Sequence, residues 1–183
     1  MQLELMPDTT SLLVIDWQER LCAAMPAEVT AQATRNATHL LTLAARQGLP
    51  VLATEQYPQG LGPMLAPVRE LLPRAAQAKT SFSAMRDSAA ASALREAGRS
   101  AVVVVGMETH VCVYQTVRDL VHAGYAVHVP ADAVLSRTKE NWRRGLALVE
   151  RAGAVVTTTE AVLFDLLKVG QGEVFKEVSR RIR

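Results

Sequence analysis

The sequence predicts an α/β protein: a three-layer α-β-α sandwich, Rossmann-like, around a central, mostly parallel six-stranded sheet. Two observations carry this expectation. Short β-branched runs alternate with longer amphipathic stretches along all 183 residues, the pattern of βαβ units. The run Ala101-Val102-Val103-Val104-Val105 is apolar at every position, so this strand is expected at the centre, covered on both faces as parallel strands are.

The elements follow in order. A first strand is expected over residues 11–15, with Asp16 at its carboxyl end. A helix over 27–47 carries Leu40, Leu41, Leu43 and Ala44 on its apolar side. Gly48 and Pro50 end it, the glycine by accepting a left-handed backbone and the proline by lacking an N–H. The second strand spans 51–54, and residues 55–63, holding Gly60, Gly62 and two prolines, read as a loop. A short third strand falls at 77–80 and a helix at 89–97, stopped by Gly98. The central strand at 101–105 precedes a helix at 111–123, a strand at 126–129, a helix at 139–152 and a last strand at 154–157. Helices at 160–167 and 172–181 close the chain. Without repeat, low-complexity tract or linker, one domain over 1–183 is expected.

Composition excludes several classes. Hydrophobic residues are 49% and charged residues 21%, a globular balance. The net charge of +2 is spread along the chain, which is no nucleic-acid footprint. Arg180, Arg181 and Arg183 read instead as a solvated helix end facing the negative pole of its dipole. The longest apolar stretch, 101–105, is strand-sized, so no membrane span is expected. Two cysteines make no disulfide framework, and there is no CxxC pair. The segment 1–7 lacks the basic start and apolar run of a signal peptide, so a cytoplasmic location is expected.

Ligands of open parallel sheets bind outside the carboxyl ends of the strands. That rule selects Asp16 after the first strand, Lys79 at the third, and residues 106–112 after the central one. Cys112 is expected at a helix N-terminus, where unpaired N–H groups and the dipole lower a thiol's pKa from its free value of about 8.5; a nearby Lys79 ammonium acts the same way. The same N–H groups can hold the oxyanion formed when a thiolate attacks a carbonyl, while Asp16 moves the proton. Each residue also has a plain structural reading: a buried small apolar Cys, a turn or cap Asp, a surface Lys. His110, Cys112, His122 and His128 fit no zinc spacing, and Cys22 has no partner chemistry beside it.

Three segments carry a resemblance. Leu13-Val14-Ile15-Asp16-Trp17-Gln18, Lys79-Thr80-Ser81-Phe82-Ser83 and Val105-Gly106-Met107-Glu108-Thr109-His110-Val111-Cys112-Val113 resemble, in order and spacing, the isochorismatase-like cysteine hydrolases. Thr54-Glu55-Gln56-Tyr57-Pro58 and Gly60-Leu61-Gly62 look most like the subgroup of isochorismatase domain-containing proteins. The resemblance implies the isochorismatase-like hydrolase fold and a triad of Cys112, Asp16 and Lys79. It also implies a non-proline cis peptide between Met107 and Glu108, aiming the Glu108 N–H beside that of Cys112 as an oxyanion hole. The Glu108 side chain is then expected at the pocket rim, and Thr109 bonded within the turn.

Two departures narrow the reading. Nicotinamidases of this superfamily carry an Asp-x-His metal motif where this chain has Thr54-Glu55-Gln56-Tyr57, so no metal and no cofactor are expected. Enzymes that cleave isochorismate lack the nucleophilic Cys, so Cys112 argues against that reaction. The expectation is a metal-independent cysteine hydrolase acting on a C–N bond of a small molecule through a thioester, in a homo-oligomer without nucleic-acid or membrane partners. Gln18, Tyr57 and Phe82 are candidate substrate-binding wall. The alternative is a non-catalytic or redox-sensing oligomeric protein that retains the fold.

Overall fold

The computed structural model describes residues 3–182, so Arg183 of the predicted basic end lies outside it. The chain runs β1 (Thr10–Ile15), α1 (Glu19–Ala23), α2 (Ala27–Gln47), β2 (Val51–Gln56), α3 (Pro58–Leu61), α4 (Ala66–Arg69) and β3 (Gln77–Lys79). It continues through α5 (Ser88–Glu96), β4 (Ala101–Met107), a π-helical turn (Thr109–Val113), α6 (Tyr114–His122), β5 (Ala126–Pro130) and β6 (Val134–Leu135). The last elements are α7 (Lys139–Arg151), β7 (Val155–Thr157), α8 (Thr159–Leu167) and α9 (Glu173–Arg181).

Among the described residues, six strands follow the order β3-β2-β1-β4-β5-β7, and a seventh, β6, pairs with β4 off that path. Every named strand pair is parallel. β5 pairs with the first half of β4, and β6 takes over along the same side at Gly106 and Met107. A two-residue strand has no period to read, which is why the sequence predicts six strands rather than seven. α1, α4 and α3 were likewise not anticipated: they are four or five residues long, and α3 begins on Pro58 inside the predicted loop. Proline suits a first helical turn, whose N–H has no partner anyway.

Alternation along β1 and β4 divides the core between two faces. Leu12, Val14, Val103 and Val105 pack with Leu40, Leu41 and Ala44 of α2, Val162, Leu163 and Leu166 of α8 and Val178 of α9. Leu13, Ile15, Val102 and Val104 pack with Leu94 of α5, Val113, Val117 and Leu120, and Val149 of α7. Burying a Val, Leu or Ile side chain contributes about 1.5–3 kcal/mol, so these two clusters hold the sheet ends where the chemistry sits. Helix starts are fixed by side-chain caps: Asp87 accepts from the Ala89 and Ala90 amides, Thr138 from Asn141 and Thr158 from Ala161. Gly48 ends α2 at φ 69°, as its sequence position predicts.

Candidate active site

The strand order reverses direction between β1 and β4, the point where a doubly wound sheet opens a crevice at its carboxyl edge. Asp16 leaves β1 there, and residues 108–112 leave β4. The two strand ends are paired through Ile15 and Gly106. Gly106 stands at φ 131°, and a Cβ at that position would collide with the Ile15 backbone, so only glycine lets the two ends close up. Asp16 itself is left-handed, φ 51°, a conformation that Asp tolerates better than most side chains. Its N–H donates to the Thr54 carbonyl (3.0 Å) and its carbonyl accepts from the Gln18 N–H (2.8 Å), fixing the turn.

Both carboxylate oxygens of Asp16 are engaged. Oδ1 accepts from Thr54 Oγ1 at 2.8 Å and Oδ2 from Lys79 Nζ at 2.7 Å. The Asp16 and Lys79 side chains are both 0% exposed. Lys79 reaches Asp16 from β3, across β2, and its Nζ also meets Gln56 Oε1 (2.7 Å) and the carbonyls of Ser81 and Phe82 (each 3.1 Å). An ammonium has three protons, and here four oxygens compete for them, so the protein replaces its hydration in full.

Cys112 lies in the wide turn Thr109–Val113, where Val113 N–H bonds back to the Glu108 carbonyl at 3.2 Å. Its burial among apolar side chains pushes the thiol up to about 12, reinforced by the Asp16 charge, by a hydrogen bond to Asp16 and by Glu108; Lys79 acts in the opposite direction. The acidic thiol expected from the sequence is therefore corrected. Desolvation and two carboxylates outweigh one ammonium and the start of a helix. Cys22 is likewise raised, to about 11, by burial.

The Met107–Glu108 peptide is cis, at the position the resemblance implied. The Glu108 carboxylate is buried rather than on an open rim, because its Oε2 accepts from Arg137 N–H (3.1 Å) and Nε (3.0 Å). Thr109 Oγ1 donates not within the turn but across to the Leu135 carbonyl (2.9 Å), and His110 Nδ1 meets Ser136 Oγ at 3.0 Å. Residues 108–110, at the entry to the turn, are thus fastened to three consecutive residues, 135–137. Behind them α7 approaches through Gly145, where a Cβ would lie 2.7 Å from the Thr109 carbonyl carbon and the His110 nitrogen.

The predicted wall residues separate. Gln18 is fully buried and its amide is occupied by backbone: Oε1 accepts from Gln56 N–H, and Nε2 donates to the carbonyls of Gln56 and Gly62. That placement is a bracket beneath the site rather than a wall facing a ligand. Tyr57 and Phe82 are 56% and 53% exposed, and each adjoins Lys79: the Tyr57 N–H donates to the Lys79 carbonyl, and the Phe82 carbonyl accepts from Nζ. Glu55 and Gln56, standing where a metal motif would lie, are otherwise engaged, Glu55 Oε1 with the Met64 N–H at 2.6 Å and Gln56 with Lys79 and Thr80. Thr54, Gln56 and Arg137 were not singled out from the sequence. The first two sit on β2 beside Asp16, and extending that strand two residues beyond Thr54 would have brought Gln56 level with Lys79.

A doubly wound parallel sheet with a carboxylate, an ammonium and a thiol gathered at its switch point defines the class of protein. The isochorismatase domain family matches residues 10–161, and the chain belongs to that family. Isochorismatase domain-containing protein 1 of Salmo salar is 35% identical over 181 residues, 98% of this chain and 62% of that protein, so this chain spans about three fifths of its relative's length. The structure of the MAR1 ribonuclease from Caenorhabditis elegans superimposes with a TM-score of 0.89 at 33% identity, covering 98% of this chain and 92% of that one. The ycaC product of Escherichia coli, an octameric hydrolase of unknown specificity, shares the fold with a TM-score of 0.91 at 20% identity, covering 99% and 91%.

Proposed function

We propose that the chain is a metal-independent cysteine hydrolase that cleaves a C–N bond of a small amide-type molecule through a thioester. The observation that carries this reading is the buried Asp16 carboxylate, held by Thr54 and Lys79, with Cys112 close enough that the Asp16 charge acts on its thiol. Burial and the Asp16 charge push the Cys112 thiol up, which favours removal of its proton during attack over a preformed thiolate. Asp16 instead takes the S–H proton as sulfur bonds to the carbonyl carbon. The amides of Glu108 and Cys112 hold the resulting oxyanion. When the tetrahedral intermediate collapses, the C–N bond breaks and Asp16 returns the proton to the leaving amine. A water molecule, deprotonated by Asp16, then attacks the thioester; the carboxylic acid leaves and the thiol is restored. Lys79, bonded to Asp16 Oδ2, offsets the Asp16 charge whenever the carboxylate has given up the proton.

Tyr57 and Phe82 flank this centre as substrate-contacting surface. Two aromatic side chains more than half exposed there also support a homo-oligomer in which a neighbouring copy covers them. Evenly spread charge favours a small-molecule substrate over RNA, a cytoplasmic setting suits the two free thiols, and no helix among the described residues is long and apolar enough to cross a membrane.

The test is a panel of small amides incubated with the protein and quenched for intact-mass analysis, with amine release followed in parallel. The expected result is an acyl adduct mapped to Cys112, absent in Cys112→Ser together with turnover. Turnover that survives Cys112→Ser, or hydrolysis of RNA without any amidase activity, would overturn the proposal.

A further inference from the structure

Gln56 belongs to neither the triad nor the amides that complete it, yet it makes one of the two shortest contacts to the Lys79 ammonium. Its own placement is fixed at four points. Gln18 grips the Gln56 backbone from both sides, through Gln56 N–H (2.8 Å) and the Gln56 carbonyl (3.0 Å). The side-chain Nε2 donates to the Thr80 carbonyl at 2.8 Å, which orients Oε1 toward Nζ at 2.7 Å. Because the Gln18 N–H bonds to the Asp16 carbonyl, the hydrogen bonds form a closed ring: Asp16, Gln18, Gln56, Lys79 and back to Asp16.

We propose that Gln56 is a positioning residue that holds Lys79 against Asp16 with a neutral acceptor, leaving the ammonium's charge undivided between Asp16 and the Cys112 sulfur. This inference rests on the cysteine-hydrolase reading above. Its physical content is the sign of the acceptor. A carboxylate at position 56 would set a second negative charge against Lys79, while giving up the bond to the Thr80 carbonyl, and would weaken the pull of the ammonium on the sulfur. An apolar residue would keep the neutrality while freeing Nζ from one of its two short contacts. The groups that face Cys112 are Asp16 from the end of β1, Lys79 from β3 and Glu108 from the end of β4, the last paired with Arg137. Gln56 therefore reaches the sulfur only through Lys79.

The experiment follows iodoacetamide alkylation of Cys112 between pH 7 and 10, with Cys22 as internal reference, in wild type, Gln56→Glu, Gln56→Leu and Lys79→Met, each checked for folding by thermal melting. Lys79→Met is expected to slow Cys112 alkylation at a given pH, since it removes the cation. Gln56→Glu is expected to slow it about tenfold, a displacement of one pH unit, and Gln56→Leu by less. The Cys22 rate stays unchanged in every variant. If Lys79→Met leaves the Cys112 profile where it was, the parent reading of Lys79 fails. If Lys79→Met moves it but neither Gln56 variant does, the positioning role of Gln56 alone is overturned. Gln56→Glu and Gln56→Leu both give up the Nε2 bond to Thr80, so the difference between them isolates the charge, and Gln56→Met, neutral and of similar length, replaces Gln56→Leu if that variant does not fold.

Discussion

Asp16 Oδ2 and Lys79 Nζ stand 2.7 Å apart with neither side chain reached by solvent. A buried pair of this kind is not by itself a source of stability, because the attraction has to offset the desolvation of both ions. What it enforces is mutual dependence. Each charge is tolerable in the core only while the other is present, and Cys112 is set beside that arrangement.

Asp16→Asn and Lys79→Met should each destabilise the fold, by roughly 3–5 kcal/mol, because each strands one charge. The double variant should lose clearly less than the sum of the two. Urea unfolding of the four proteins measures the coupling, and strict additivity would mean that the pair is not energetically linked.

Glu108→Gln should make Cys112 more reactive toward iodoacetamide at pH 8–9. Glu108 is among the groups that raise this thiol, and so, more strongly, is Asp16. Asp16→Asn should therefore accelerate alkylation more than Glu108→Gln does while abolishing turnover. The opposite order of the two rates would contradict the electrostatics described above.

Alkaline solution should weaken the fold through its thiols. Cys112 and Cys22 are raised to about 12 and about 11 in the folded chain. An unfolded thiol ionises near pH 8.5–9, so between there and the folded values the native state binds the extra proton. The stabilising contribution is complete below about pH 8.5 and falls by about 1.4 kcal/mol per pH unit per thiol above it. Cys112→Ala should flatten the decline of stability between pH 9 and 11, measured by denaturant midpoints. An unchanged slope would show that the sulfur is not desolvated.

Hydrolysis should survive dialysis against EDTA. The side chains standing where nicotinamidases carry their metal motif are committed elsewhere, Glu55 to the Met64 amide and Gln56 to Lys79 and Thr80. Activity lost on chelation and restored by zinc, iron or manganese would overturn the metal-independent reading.

Much of this was legible in the sequence because the signals are local. The Val-rich run of β4, the Gly48 stop and the alternation of strands with helices give the sheet and its layers. Asp16, Lys79 and Cys112 follow from asking which polar residues end the strands. Thr54 and Gln56 escaped because their meaning depends on pairing between β2 and β3, which no single segment displays. Gln18 was misread for the same reason: beside Asp16 it looks like a contact residue, and only the fold shows its amide spent on residues 56 and 62. The upward push on the thiol is not legible from its place before a helix, since burial is its main cause and burial is a property of the whole core.

Lys79 is carried by β3, a three-residue strand at the outer margin of the sheet, joined to β2 through three register partners. The charge on which the centre depends thus rides on a short edge strand paired on one side only, while Asp16 and Cys112 follow β1 and β4 near the middle. Partial opening of that margin, far short of global unfolding, withdraws the ammonium and leaves a carboxylate and a thiol facing each other. Amide exchange at residues 77–79 should therefore be faster than along β1 and β4, and the centre's integrity should follow the local opening equilibrium of the edge rather than the melting temperature of the protein.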